Sequence, residues 1–106
     1  MEYDIKRGHH KNIEGDGLKG IMEEIFGESR EEGDLLVAGY GAIPRMEVKI
    51  LSKSSLWVET ESDPSVPDEV ARETINRFNR FLERATGFTA KQRRDRLNKK
   101  AKKGGL

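Results

Sequence analysis

At 106 residues, with 34% hydrophobic and 37% charged residues and no cysteine, the chain suits one modest core and excludes disulfides, thiolate metal sites and a cysteine nucleophile. No apolar run approaches the roughly 18 residues of a membrane span, and the opening MEYDIKRGHHK lacks the apolar core of a secretion signal, so a cytoplasmic protein without membrane contact is expected. The net charge of +1 hides an asymmetry: residues 1–87 carry 12 Lys/Arg and 18 Asp/Glu, a net −6, whereas residues 88–106 carry 8 Lys/Arg and only Asp95, a net +7.

In chain order, Tyr3–Arg7 reads as a short strand with Tyr3 and Ile5 on one face, and Gly8–Gly17 as a polar, glycine-rich loop. Leu18, Ile21, Met22 and Ile25 recur at helical spacing, between Asp16 as N-cap and Gly27 in the left-handed position past the end. Gly20 inside that helix costs up to about 1 kcal/mol relative to Ala unless something packs against it. Glu28–Gly33 reads as a charged connector. Asp34–Ile43 is apolar on both alternating faces, which suits a strand covered at least partly on its second side. Gly39 and Gly41 invite a bulge there, and Pro44 is expected to interrupt the ladder.

Met46–Leu51 and Leu56–Glu61 both alternate with period two and form a hairpin. A two-residue loop at Lys53–Ser54 alone would pair Ile50 with Trp57 and throw the apolar sets onto opposite faces. A three-residue loop, Ser52–Ser54, pairs Ile50 with Leu56 and Val48 with Val58 and puts both sets on one face, so an odd-length loop or an equivalent bulge is expected. That register sets Trp57 across from Lys49, near Leu51, with Glu47, Glu59 and Glu61 around them.

The rigid DPSVP segment precedes a long helix, Pro67–Gly87, whose stripe of Ala71, Ile75, Phe78, Leu82 and Ala85 is expected to face the core. Ser65 and Asp68 resemble a capping box. Gly87 suits the left-handed stop, with Phe88 packing back on Leu82. Thr89 and Gln92 form a second capping-box pattern opening a basic helix, expected to fray or be disordered beyond about Leu97. The fold class that results is α+β: a two-layer sandwich in the order β-α-β-β-β-α, with a mainly antiparallel sheet, two helices on one face and a basic C-terminal tail. Residues 1–88 form the domain and 89–106 the helical or disordered tail.

Candidate chemistry is sparse. Gly15-Asp16-Gly17-Leu18-Lys19-Gly20 matches a phosphate-loop spacing, but loop rather than strand precedes it and Asp16 would repel a phosphate, so a turn with a helix cap is favoured. His9 and His10 lack ligands at defined spacing, even counting Glu14 or Asp16, and read as loop residues. No catalytic residue, metal site or cofactor is expected, and the chain reads as a non-enzyme. Lys49, Leu51 and Trp57, with Tyr40 or Tyr3 nearby, form an outer sheet face better suited to a homodimer or partner protein than to base stacking, because the glutamates around them repel phosphate. Lys91, Arg93, Arg94, Arg96, Lys99, Lys100, Lys102 and Lys103 are the strongest signal. Dense cations of this kind neutralise a phosphate backbone by counterion release. A solubilising tail, or one docked on its own acidic body, is the plain alternative.

On the stretches IKRGHHKNIEGDGLKGIM, the strand pair around Trp57 and ERATGFTAKQRRDRLNKK, the chain resembles a small archaeal family of uncharacterised proteins, a domain of unknown function. The resemblance covers nearly the whole chain. It implies a two-layer α/β sandwich similar to half of a TATA-binding-protein-like saddle, and it implies no activity. The leading expectation is therefore a small binding protein that contacts nucleic acid through its basic tail. The alternative is a homo-oligomeric or protein-interaction module using the outer sheet face.

Overall fold

A computed structural model describes the backbone of residues 1–104 and the side chains of residues 1–100. Five strands, β1 (Glu2–Asp4), β2 (Arg30–Glu32), β3 (Leu35–Tyr40), β4 (Ile43–Ser52) and β5 (Ser55–Glu61), form one antiparallel sheet in the order β1-β5-β4-β3-β2. Helices α1 (Gly17–Phe26) and α2 (Asp68–Thr86) pack on its inner face, and α3 (Ala90–Gly104) follows α2. The two-layer α+β class is as expected. No helix among the described residues is long and apolar enough to cross a membrane.

The hairpin register is the expected one: Ile50 pairs with Leu56, Val48 with Val58 and Lys49 with Trp57. A two-residue turn, Lys53–Ser54, joins Ser52 to Ser55, and a bulge between Ile50 and Ser52 restores the parity. Leu51 is thus the extra residue, pushed outward and 45% exposed. On the inner face Met46, Val48, Leu56 and Val58 join Ala38, with Leu36 and Ile50 packed against them. Val37, opposite Glu47 and Arg30, is buried on the other face and lies outside this cluster.

Several boundaries differ from expectation, each for a local reason. The first strand covers Glu2–Asp4 rather than Tyr3–Arg7, because the Lys6 N–H leaves the sheet to donate to Thr86 O at 2.7 Å. The loop after it contains a 3-10 turn, His9–Asn12. The charged connector holds β2, whose three residues are all exposed, so an apolar alternation never marks it. An edge strand of this kind is short and charged because its outer rim would otherwise recruit other strands. Pro44 does not end the ladder: β4 runs through it, since pairing with β5 begins only at Arg45 and pairing with β3 jumps from Ala38–Met46 to Tyr40–Ile43. Proline therefore sits at the bulge, where no ladder hydrogen bond is demanded of it. The Gly39 amide opposite donates to Glu28 Oε1 at 3.1 Å.

α2 keeps Leu82 and Ala85 of the expected stripe in the core, with Phe78 packed against it, and departs from that stripe by a rotation in its first half. Thr74, Phe81, Leu82, Ala85 and Thr86 are buried, while Ile75 is 58% exposed. Thr74 fixes the rotation. Its hydroxyl donates to Val70 O at 2.7 Å and accepts the Ala42 N–H at 3.0 Å, fastening the helix to the β3–β4 turn. Gly41 in that turn has a φ of +51°, and a Cβ there would collide with the Thr74 hydroxyl. The Ser65–Asp68 box is not formed; Ser65 bonds Asp63 Oδ1 instead, through its amide at 2.9 Å and its hydroxyl at 2.6 Å. Likewise Asp16 occupies the N-cap of α1 without a side-chain cap bond, whereas Gly27 (φ +83°) and Gly87 (φ +80°) end α1 and α2 in the left-handed conformation as expected.

Two substitutions test this packing. Nothing lies within 4 Å of a Cβ placed at Gly20, so Gly20→Ala is expected to raise unfolding stability by about 0.5–1 kcal/mol. Thr74→Val leaves the Ala42 amide without its acceptor and is expected to lower stability by about 1–3 kcal/mol. Urea denaturation of the two variants beside the parent checks both signs.

Candidate nucleic-acid interface

The site is built on helix ends, where backbone carbonyls need partners. At the end of α1, Arg77 Nη1 donates to Ile25 O at 2.7 Å, while its guanidinium lies 4.6 Å from the Tyr40 ring centroid. At the end of α2, His9 Nε2 donates to Arg84 O at 2.5 Å, and Asn12 Nδ2 donates to His9 Nδ1 at 3.1 Å. Both ring nitrogens of His9 are thus spent on structure. His10 stands 3.5 Å from Glu14. The glycine-rich stretch Gly15–Gly20 follows the 3-10 turn rather than a strand and opens α1.

α3 starts with the expected box: the Thr89 N–H donates to Gln92 Oε1 at 2.9 Å and the Gln92 N–H to Thr89 Oγ1 at 3.2 Å. It continues past Leu97 to Gly104, further than expected, because one of its faces is held by the body. Arg93 Nη1 donates to Phe88 O at 2.6 Å and Nη2 to Asn79 Oδ1 at 3.1 Å. Arg96 Nε donates to Asp4 Oδ2 at 2.9 Å with its guanidinium 4.5 Å from the Phe88 ring centroid, and Lys100 Nζ donates to Asp4 Oδ1 at 2.5 Å. These contacts sit at the 93, 96 and 100 positions, one side of a helix. Lys91, Arg94 and Lys99 are exposed and make no ion pair with the described residues. The side chains of Lys102 and Lys103 lie outside the described residues.

Sequence reasoning missed a second cationic group. The loop after β1 and the β4–β5 turn enclose an open groove of about 760 Å³ lined by Lys6, Arg7, His10, Lys11 and Lys53, with Phe88 and Arg96 on its α3 side and Glu14 as its one acid. Lys6, Arg7 and Lys11 were visible as a basic run in IKRGHHK. Lys53 joins them only through the strand order, which sets β5 and its turn beside β1. A smaller groove of about 270 Å³ lies on the other side of Arg96, between β1, α2 and α3.

The outer sheet face is different in charge. Lys49 pairs with Trp57 and reaches Asp34 at 3.7 Å. Glu47 stands directly opposite Glu59, and Arg45, opposite Glu61, bridges Glu32 and Glu47 at 2.9 Å each. Arg45 thereby holds the Glu32 carboxyl below the usual range. Trp57 is half-buried and Leu51 exposed, so Lys49, Leu51 and Trp57 do lie together on this face. They are set among acids.

Comparison with known proteins adds the family. Residues 1–99 match the model of a domain of unknown function, DUF5611. The fold is similar to the NMR solution structure of a hypothetical protein from the archaeon Thermoplasma acidophilum, with a TM-score of 0.61 and 29% identity over 91% of this chain and 95% of that one. No curated protein matches the sequence.

The docking of α3 is testable through Asp4. Its hydrogen bond from Lys100, with Arg96 beside it, holds its carboxyl below the ordinary aspartate value. A depressed native pKa means that the contribution to docking is complete above the unfolded value of about 3.9 and is lost as pH falls below it. Amide shifts of α3 followed by NMR from pH 6 down to pH 2 are expected to move toward undocked values only at the acid end. At neutral pH, Asp4→Asn removes links worth about 1 kcal/mol, and tryptic cleavage within Lys91–Lys100 is expected to quicken roughly fivefold.

Proposed function

The chain belongs to the domain-of-unknown-function family DUF5611, and we propose that this member is a non-enzymatic, cofactor-free protein that binds nucleic acid along one basic edge. That edge consists of α3, through Lys91, Arg94 and Lys99, and of Lys6, Arg7, Lys11 and Lys53 beside it. The observation that carries the reading is the juxtaposition of two cationic groups far apart in sequence, which meet at Arg96. Phosphate contacts position a nucleic acid and supply affinity without reading its sequence, and cations that make no internal ion pair suit that task. Arg93, Arg96 and Lys100 serve mainly to hold α3 in place. Any likeness to half of a TATA-binding-protein-like saddle would concern topology alone and lends this reading no support, since one fold hosts unrelated activities. A sheet that reads DNA presents its strands to a groove. Here that face carries Glu2, Glu47, Glu59 and Glu61, so the proposal puts phosphate on the opposite edge.

A second reading is favoured by one observation, the exposed Leu51 beside Trp57: a homodimer or partner protein seated on the outer sheet face. The facing Glu47 and Glu59 oppose self-pairing there. A blue shift of Trp57 emission with rising protein concentration supports it, and constant emission counts against it.

The leading reading is tested by fluorescence anisotropy with labelled RNA and DNA at several salt concentrations. Lys91→Glu, Arg94→Glu and Lys99→Glu together are expected to weaken binding and to flatten the dependence of log K on log salt by about 2, at roughly 0.7 per single-strand phosphate contact. Lys6→Glu with Lys53→Glu is expected to act in the same direction, and Trp57 emission is expected to stay constant on titration. Equal binding by all variants, or none by the parent, removes the proposal.

A further inference from the structure

The smaller groove between β1, α2 and α3 combines features that the phosphate-binding edge alone does not need. Its lining includes Tyr3 from β1, Phe78 and Leu82 from α2, Phe88, and Leu97 from α3. Leu97 is 49% exposed, and Ile75, one helical turn before Phe78 and Asn79, is 58% exposed. Phe78, packed against the core on one side, is half-buried and belongs to the groove lining, while Ile75 lies open beyond it. Three arginines, Arg93, Arg94 and Arg96, belong to the lining, and Arg96 is already paired with Asp4. Arg93 is half-buried and bonds only neutral acceptors, Phe88 O and Asn79 Oδ1, and it makes no ion pair among the described residues. Three of its five N–H donors remain for another group. The two carboxylates of the lining are already engaged: Asp4 by Arg96 and Lys100, and Glu2 by the Ser55 hydroxyl at 3.3 Å.

We propose that this groove receives an unpaired base of a single-stranded nucleic acid, with the adjoining phosphate held by Arg93 and Arg94. This deepens the preceding reading and rests on it. Charge complementarity selects an anion, and the aromatic and aliphatic lining selects one that carries a flat apolar body beside its charge. A nucleotide combines both. Bases stacked on aromatic side chains contribute without regard to sequence because every base presents a π-face, and sequence tolerance matches an interface that offers no row of base-reading side chains. A duplex keeps its bases stacked inside and cannot place one in such a groove without unpairing it. Single strands are therefore preferred over duplexes, and the preference resides in Phe78 and Leu97 rather than in the lysines of the edge.

The test uses the full chain and three labelled DNA probes of equal length: oligothymidylate, the same strand with abasic sites throughout, and a duplex. At matched salt, oligothymidylate is expected to bind at least fivefold more tightly than the abasic strand, the lower end of the 1–3 kcal/mol that one stacked base contributes, and more tightly than the duplex. Leu97→Asn, at an exposed position that leaves the core intact, and Phe78→Leu, which keeps an apolar filling, are both expected to erase the difference between the first two probes while leaving abasic binding unchanged. Equal binding of intact and abasic strands by the parent protein overturns this inference but leaves the phosphate-binding edge standing. Preference for duplex, or variants that weaken both strands equally, overturns it as well. Absence of binding to all three probes overturns the edge and the groove together.

Discussion

The fold depends on one extra residue in β4. Side chains alternate along a strand, so a slip of one position exchanges its faces. With the bulge at Leu51, Val48 and Ile50 share a face with Leu56 and Val58, and the helices have an apolar surface to cover. Without it those four would divide between the two sides and neither side would make a core. The same parity decides the charges. It gathers Glu47, Glu59 and Glu61 with Lys49 and Trp57 on the outer face, and leaves the cations to the edge where β1, the β4–β5 turn and α3 meet.

The helices are then fastened by their ends. Arg77 satisfies Ile25 O at the end of α1, His9 satisfies Arg84 O at the end of α2, and Arg93 satisfies Phe88 O where α3 turns away. The Arg77 and His9 bonds join distant elements and so are also tertiary links, and Arg93 adds one through Asn79 Oδ1 of α2. Gly87 is confined between His9 and Lys6, at 2.9 and 3.0 Å from an added Cβ, and adopts a φ of +80°. A side chain there would disturb the joint between the first loop and α2. His9, one of the two histidines that tempt a catalytic reading, is spent in this joint.

Much of the fold was legible because periodicity speaks plainly where one face is buried. The hairpin register, the bulge near Gly39, the stops at Gly27 and Gly87 and the Thr89–Gln92 box all followed from local chemistry. β2 was invisible because an exposed edge strand of Arg30, Glu31 and Glu32 has no apolar face to alternate. The rotation of α2 was misjudged because Thr74, a polar residue, is the one that points inward, its hydroxyl satisfied by Val70 O and the Ala42 amide. The eight tail cations were readable as a group, but their division into anchors and outward residues depends on Asp4, some ninety positions earlier. Lys53 is the clearest case of what sequence withholds. Nothing local links it to Lys6 and Arg7, and only the pairing of β1 with β5 brings them together.

Everything proposed for this surface requires that α3 and the loop after β1 form one composite basic edge around Lys53 and Arg96. The chain has no cysteine, so a nitroxide attached at Lys53→Cys is a single, unambiguous probe. Paramagnetic broadening of amide signals then reports distance directly. Strong broadening is expected at residues 6–11 and around Arg96 in α3, with the amide of Ile75 spared. Unbroadened α3 signals beside a broadened 6–11 loop would contradict it.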